Sequence, residues 1–318
     1  MARTVEEKAI NENVITQEFT LEDPFNPGNA VKGLLFKNGD QYGDLKILAV
    51  NGKECEQYIH TTPKFYYPGF SKSPTKVKEG YFPEFETIKA FEKIDGTNVC
   101  LFRYEDADGS NFVSFKTRLV PFMNPSGKNG FMAMWNKMLE KYSDKFEILL
   151  EETRYNFAFE LFGALNKILV DYDVPLDTRL LFVIDRATGE IHDPTGFDFP
   201  APDLVKEIGK DENPDETYKK LVYEYEKAFN QGKPVEGCMV YVIKADGTAI
   251  PFKCKPPSVI EASSGGGMHV SFNEAYVTAM NAMDSAGTID RLHAETYELL
   301  AEVYDKEKIE ISKGYIEK

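Results

Sequence analysis

Lys93 stands in the stretch FEKIDGTNVC, followed two and three residues later by Asp95 and Gly96. A lysine is a nucleophile only as the neutral amine, and an unperturbed one is neutral in about one copy in a few thousand at pH 7. Burial, neighbouring cations or a metal must lower that barrier. Further along the chain come Glu160 in FAFELFG, Glu236 in PVEGCMVYV, and Lys253 and Lys255 in PFKCK. Two lysines at i and i+2 of a strand face the same way, with Cys254 turned to the other face. Two ammonium groups on one face need an anion or carboxylates between them, and a phosphate fits that need. Taken singly, each residue has a plainer reading: a surface lysine, a strand-end carboxylate, an exposed strand face. Their order along one chain argues for phosphoryl or nucleotidyl transfer, which depends on positioning and positive charge.

These motifs resemble the covalent nucleotidyltransferases, the ATP-dependent DNA and RNA ligases and mRNA capping enzymes. Their signature is KxDG, a glutamate strand, EGxV and KxK, in that order. Here Met239 takes the place of the valine. The sequence is most similar to the T4 RNA ligase 1 family: FELFGALNKILVDYD, LLFVIDRATGE, VKGLLF and PKFYY match its segments over roughly residues 30 to 255. The Gly-Thr-Asn after Lys93 is more like the second RNA ligase family.

The resemblance implies a role for each matching residue. Lys93 attacks the α-phosphorus of ATP and carries AMP. Asp95 and Gly96 shape the turn, with Asp95 near the ribose or a metal, and Asn98 follows them. Arg118 meets the ribose or an incoming 5′-phosphate, and Glu160 the ribose hydroxyls. Glu236 helps to hold a divalent metal, magnesium or manganese. Lys253 and Lys255 neutralise the α-phosphate, and Lys32 and Lys64 meet the β- and γ-phosphates. Adenine lies against Phe182 or Ile184 and Met239. The implied partner is RNA with 5′-phosphate and 3′-hydroxyl ends. A DNA ligase, a guanylyltransferase or an inactive RNA-end-binding protein is the alternative. The first two carry a barrel domain after KxK, whereas only 63 residues follow Lys255 here, and they read as helices.

The elements that must position these residues read as α+β, strands in the middle with flanking helices and a small helical C-terminal domain; the resemblance implies that the strands form the antiparallel sheets of a nucleotidyltransferase (ATP-grasp-like ligase) domain. Residues 1–25 read as a short helix or arm, and 30–50 as two strands around a Gly/Asn/Asp turn. Residues 89–118 hold three strand candidates with DADGS between the last two, and residues 61–85 an irregular, aromatic-rich segment. Residues 129–154 have helical spacing, with a Met and Trp stripe suited to a core. YNFAFELFG, NKILVDYD and TRLLFVIDRATGE read as strands. Residues 203–232 read as two helices broken at Asn213–Pro214, and 236–255 as a hairpin turning at 245–247. The domain boundary falls near residue 257, giving 1–257 (with an N-terminal subregion 1–88) and 258–318.

The 318 residues, 42% of them hydrophobic, suffice for a real core. The net charge of −15 argues against a sequence-independent nucleic-acid coat protein. The charge is uneven: residues 61–78 carry Lys64, Lys72, Lys76 and Lys78 and no acid, which reads either as a solvated loop or as a local anion site. No apolar run is long enough to span a membrane, and the N-terminus lacks a signal-peptide core. The four cysteines are scattered with no CxxC, and the four histidines lack metal spacing. A reducing cytoplasm fits that pattern.

Overall fold

The computed structural model describes residues 14–68, 82–124, 130–233 and 235–264. Residue contacts divide the chain into two units, Met1–Pro256 and Pro257–Lys318. The helices expected of 258–318 lie outside the described residues, apart from helix α4 (Pro257–Ser264).

Within the first unit, the strands β1 (Thr16–Glu22), β2 (Ala30–Phe36), β3 (Leu45–Val50) and β4 (Lys53–Ile59) form an antiparallel sheet in sequential order. β1 lies where a short helix or arm was expected. It pairs with β2 over its whole length, from Thr16 opposite Phe36 to Glu22 opposite Ala30.

A nine-stranded sheet carries the motifs. Its strands are β5 (Thr87–Glu92), β6 (Thr97–Glu105), β7 (Asn111–Lys116), β8 (Tyr155–Phe162), β9 (Asp177–Asp185), β10 (Ile191–His192), β11 (Leu204–Gly209), β12 (Cys238–Ile243) and β13 (Ala249–Cys254). They lie in the order β11-β5-β12-β13-β10-β9-β8-β6-β7. Every pairing in it is antiparallel.

β5 and β6 are consecutive in the chain yet six positions apart in the sheet. In a flat sheet six spacings amount to about 29 Å. From Glu92 to Thr97 the chain reaches at most about 18 Å. The sheet must therefore bend back on itself, so that Lys93–Gly96 crosses the mouth between its two halves. The join opposite that mouth is narrow: β10 has two residues, and only Ile191 pairs with β13, opposite Ala249.

Alternation along the strands sorts the side chains to match. Cys238, Val240, Val242, Phe252 and Cys254 pack outward with Tyr218, Leu221 and Val222 of α3 (Pro214–Asn230). Val99, Leu101, Phe157, Phe159 and Leu161 pack outward with Trp135, Met138, Phe146 and Leu149 of α1 (Phe131–Lys141) and α2 (Ser143–Glu151). The Met and Trp stripe is thus core. Between the halves, Phe91, Met239 and Tyr241 meet Ala158, Phe182 and Ile184. The four-stranded sheet packs through Leu35, Leu45 and Ile47 on Phe102 and Tyr104 of β6.

Two segments differ from expectation. Residues 204–209 form β11, not a helix, because β5 has a free edge there and pairs with them from Thr87–Gly209 to Phe91–Leu204. Asn213–Pro214 then starts α3 rather than breaking a helix. Asn213 Oδ1 accepts from the Asp215 and Glu216 amides, and proline at the first turn lacks only a donor that would be orphaned. NKILVDYD forms no strand; its backbone is taken up by Asp95, as described below.

Gly96 enters β6 where a Cβ would lie 2.2 Å from the Leu161 carbonyl oxygen, a backbone atom of the paired strand. Gly96→Ala is therefore expected to destabilise the protein by about 1–3 kcal/mol in urea unfolding. An unchanged midpoint would contradict the close approach.

Candidate active site

The crossing segment roofs a cavity of about 530 Å³ lined by residues from both sheet halves. Lys93 continues the β5–β12 ladder: its amide donates to Gly237 O at 2.9 Å. Continuing the two registers puts Gly237 between Lys93 and Lys255, with Glu236 the next residue along. Lys93 Nζ donates to Glu236 Oε2 at 2.6 Å, and Lys255 Nζ lies 2.7 Å from Glu236 Oε1. One carboxylate thus bridges two ammonium groups. Gly237 lets the chain do this. Its φ is +125°, and a Cβ there would sit 2.2 Å from Cys254 O.

The charges are strongly coupled. Burial disfavours the Lys93 ammonium, but Glu236, Glu160 and Asp95 outweigh it and raise its pKa. Burial likewise opposes the Glu236 charge, yet Lys93 and Lys255 hold that carboxyl below its ordinary value. Burial, aided by Glu236, pushes Glu160 up to about 8. Lys253, with no ion-pair partner among the described residues, is pushed down to about 8 by burial and then by Lys93, Arg118 and Lys255. Arg118, also lowered by burial, leaves its buried Nε without a hydrogen-bond partner among the described residues. Cations that repel one another and lack carboxylates form a site for an anion.

The apolar part of the wall is Phe182 and Met239, with Phe65, Phe91 and Tyr241. Phe65 meets Phe182 edge-on, with ring centroids 5.1 Å apart. Ile184 is buried in the layer between the sheet halves and does not line the cavity. Asn98 does line it. Its Nδ2 donates to Phe159 O, and its buried Oδ1 has no partner among the described residues.

Three expected residues are placed elsewhere. Asp95 turns away from the cavity: Oδ2 accepts from the Leu169 and Val170 amides at 2.6 and 2.7 Å, and its own amide donates to Tyr172 Oη. It fastens the 164–172 loop instead of facing a ribose or metal. Lys32 is exposed on β2, opposite Thr20 and Ala49, and is absent from the wall. Lys64 is also exposed and outside the wall, its ammonium 5.9 Å from the ring centres of Tyr42 and Tyr66. Phe65 and Tyr67, on either side of Tyr66, were not singled out from the sequence, although the aromatic run PKFYY was the signal for them. Lys72, Lys76 and Lys78 lie outside the described residues.

A larger open groove of about 960 Å³ lies by β4 and the β6–β7 and β9–β10 turns. It gathers five carboxylates and two arginines, Arg154 and Arg186. Arg154 is paired with Asp185. Its acidic lining suits no phosphate, so the smaller cavity is the candidate site.

Two measurements check these electrostatics. Glu236→Gln removes the partner that keeps Lys93 charged, so Lys93 acetylation at pH 8, read by peptide mass spectrometry, should be faster than in the parent protein. A slower or equal rate would contradict the ion pair. Glu160 has a folded pKa raised from 4.5 to about 8, so its ionisation costs stability as pH rises through that window. Glu160→Gln should therefore melt higher than the parent above pH 8, with the gap closing towards pH 4.5.

No family model matches the chain, and no curated protein matches it by sequence. Among solved structures, it is similar to an archaeal ATP-dependent RNA ligase with a TM-score of 0.51 and 16% identity. The match covers 94% of this chain and 71% of that one. A Naegleria gruberi RNA ligase mutant with ATP and Mn gives a TM-score of 0.42 and 12% identity over 64% of this chain and 60% of the other. The same ligase with PPi gives 0.41 and 9% over 80% and 100%. The chain has the α+β fold of the archaeal ATP-dependent RNA ligase, with antiparallel sheets and few helices among its described residues.

Proposed function

We propose that this protein is an ATP-dependent RNA ligase acting through a lysyl-AMP intermediate, of the T4 RNA ligase 1 type to which its motifs are most similar. The observation that carries this is the convergence of Lys93, Glu236, Lys255, Lys253, Arg118 and Glu160 on one cavity that also has an apolar and aromatic wall of Phe65, Phe91, Phe182, Met239 and Tyr241. The apolar wall of Phe182 and Met239 suits adenine, and the Glu160 carboxyl suits ribose hydroxyls. Lys253, Lys255 and Arg118 suit the α-phosphate. Lys32 and Lys64 stand too far out on the surface to line this cavity, so any contact they make with the outer phosphates lies beyond it.

In the first step Lys93 Nζ, having released a proton, bonds to the α-phosphorus of ATP while the bond to pyrophosphate breaks. An oxygen of an RNA 5′-phosphate then bonds to that phosphorus, and the P–N bond breaks, returning Lys93. Finally a 3′-hydroxyl attacks the 5′-phosphorus, losing its proton, and AMP leaves. Positive charge on the α-phosphate is the main help each step needs.

Among the described residues no three His, Cys, Asp or Glu side chains are grouped as a metal cage. A magnesium or manganese ion fits all the same, because such ions bind through one or two carboxylates plus substrate phosphates. Glu236 is near enough to Glu160 to raise the pKa of that carboxyl. A bound ion would supply further charge on the phosphates.

The test is label transfer from ATP carrying ³²P in its α-phosphate, with magnesium, to denatured protein. Label is expected on the parent and absent on Lys93→Ala. Its rate should rise from pH 7 towards pH 9, since Lys93 is charged in the free protein. Absence of label on folded, AMP-free protein would sink the proposal. Label from GTP instead would point to a capping enzyme, and transfer to 5′-phosphorylated DNA but not RNA to a DNA ligase.

A further inference from the structure

We infer that Lys116 and Lys37 are positioning residues, gripping the backbone at Arg118 and Leu119 so that the Arg118 guanidinium stands preformed in the cavity wall. Lys116 is fully buried on β7. Its Nζ donates to Arg118 O at 3.1 Å and to Gly43 O at 2.8 Å. No carboxylate among the described residues lies within ion-pair distance of it; the Asp44 carboxylate nearby accepts from Thr61 N and Tyr58 Oη instead. Lys37, just beyond β2, donates from Nζ to Leu119 O at 3.0 Å. Two successive carbonyls are thus held by two ammonium groups from different sheets.

Gly43 completes the arrangement. It lies in the β2–β3 connection with φ +102°, and a Cβ there would meet Arg118 Cγ at 3.1 Å and Thr62 O at 3.0 Å. The aliphatic stem of Arg118 therefore lies against a residue with no side chain. With its backbone and stem held, the guanidinium has little freedom left, and its buried Nε is unpartnered among the described residues. A buried charge without a carboxylate is expensive. Bearing that cost at Lys116, with the partly exposed Lys37 added beside it, makes sense if the arginine must be in place before its anion arrives. The four-stranded sheet then contributes to the site through Gly43 and Lys37.

The placement of Arg118 stands on geometry alone, whereas naming its anion as a substrate phosphate rests on the ligase proposal. Two readouts separate these. The first is the rate at which phenylglyoxal modifies Arg118, followed by peptide mass spectrometry in parent, Lys116→Met and Lys37→Met. Both variants should react several-fold faster; rates equal to the parent in both would overturn the inference, whatever the protein catalyses. Lys37 is partly exposed, so its variant carries the test if Lys116→Met fails to fold. The second is a rate cycle on AMP transfer to a 5′-phosphorylated RNA. Lys116→Met should slow it roughly ten- to a hundred-fold, and adding it to Arg118→Ala should slow that variant no further. Additive losses would show that Lys116 acts on the fold and not through Arg118. A parent protein that takes no label, with Arg118 still shielded by Lys116, would remove the ligase proposal and leave the clamp standing.

Discussion

The four residues Lys93–Gly96 must join two strands that are neighbours in sequence and distant in the sheet. That reach is too short for a flat sheet, so the two halves must face each other, and much else follows. The bend creates an inner layer of Phe91, Met239, Tyr241, Phe182 and Ile184. Tyr241 Oη ties the halves by donating to Leu181 O across that layer. It leaves a cavity at the end where the connector crosses, with a lysine at the crossing. The narrow β10 join allows the bend, and α1, α2 and α3 cover the two outer faces.

Within that frame the site is a balance of buried charges. Glu236 keeps Lys93 and Lys255 together at 2.6 and 2.7 Å, where two ammonium groups alone would repel. Among the described residues Lys253 and Arg118 have no such ion-pair partner, and they carry the unmet positive charge. The outcome is a cavity that holds its lysine charged and quiet until an anion enters. A phosphate that draws on Lys255, Lys253 and Arg118 would alter the balance around Glu236, and with it the hold on the Lys93 proton. The protein's net charge of −15 is thereby reconciled with an anion site, since the relevant charge is local and desolvated.

The mistaken expectations share a cause. DLVKEIG has a pattern a helix can use, and it became β11 because β5 offered an unpaired edge. NKILVDYD has strand composition, but Asp95 captures the Leu169 and Val170 amides that a strand would need for its ladder. Asp95 was expected at the ligand for the same reason: a carboxylate beside a nucleophile looks chemical until one of its oxygens is found holding two backbone amides. Lys32 sits in a strand whose sheet approaches the site with its turn, through Gly43, and not with that face. Each of these was decided by a partner distant in sequence.

What the sequence determined by itself is what depends on period and local sterics. Alternation put Lys253 and Lys255 on one face and Cys254 on the other. Turn chemistry marked the β6–β7 and β12–β13 hairpins, and the Met and Trp stripe marked a core helix. The order of the motifs marked which residues to watch. Only the tertiary structure decided that β5 and β6 lie six positions apart, that Phe182 and not Ile184 lines the cavity, and that Glu236 bridges two lysines. It also decided that a buried Lys116 stands behind Arg118. Sheet order and buried charge pairing arise from contacts between residues tens to hundreds of positions apart, and no local pattern encodes which of the possible partners will be met.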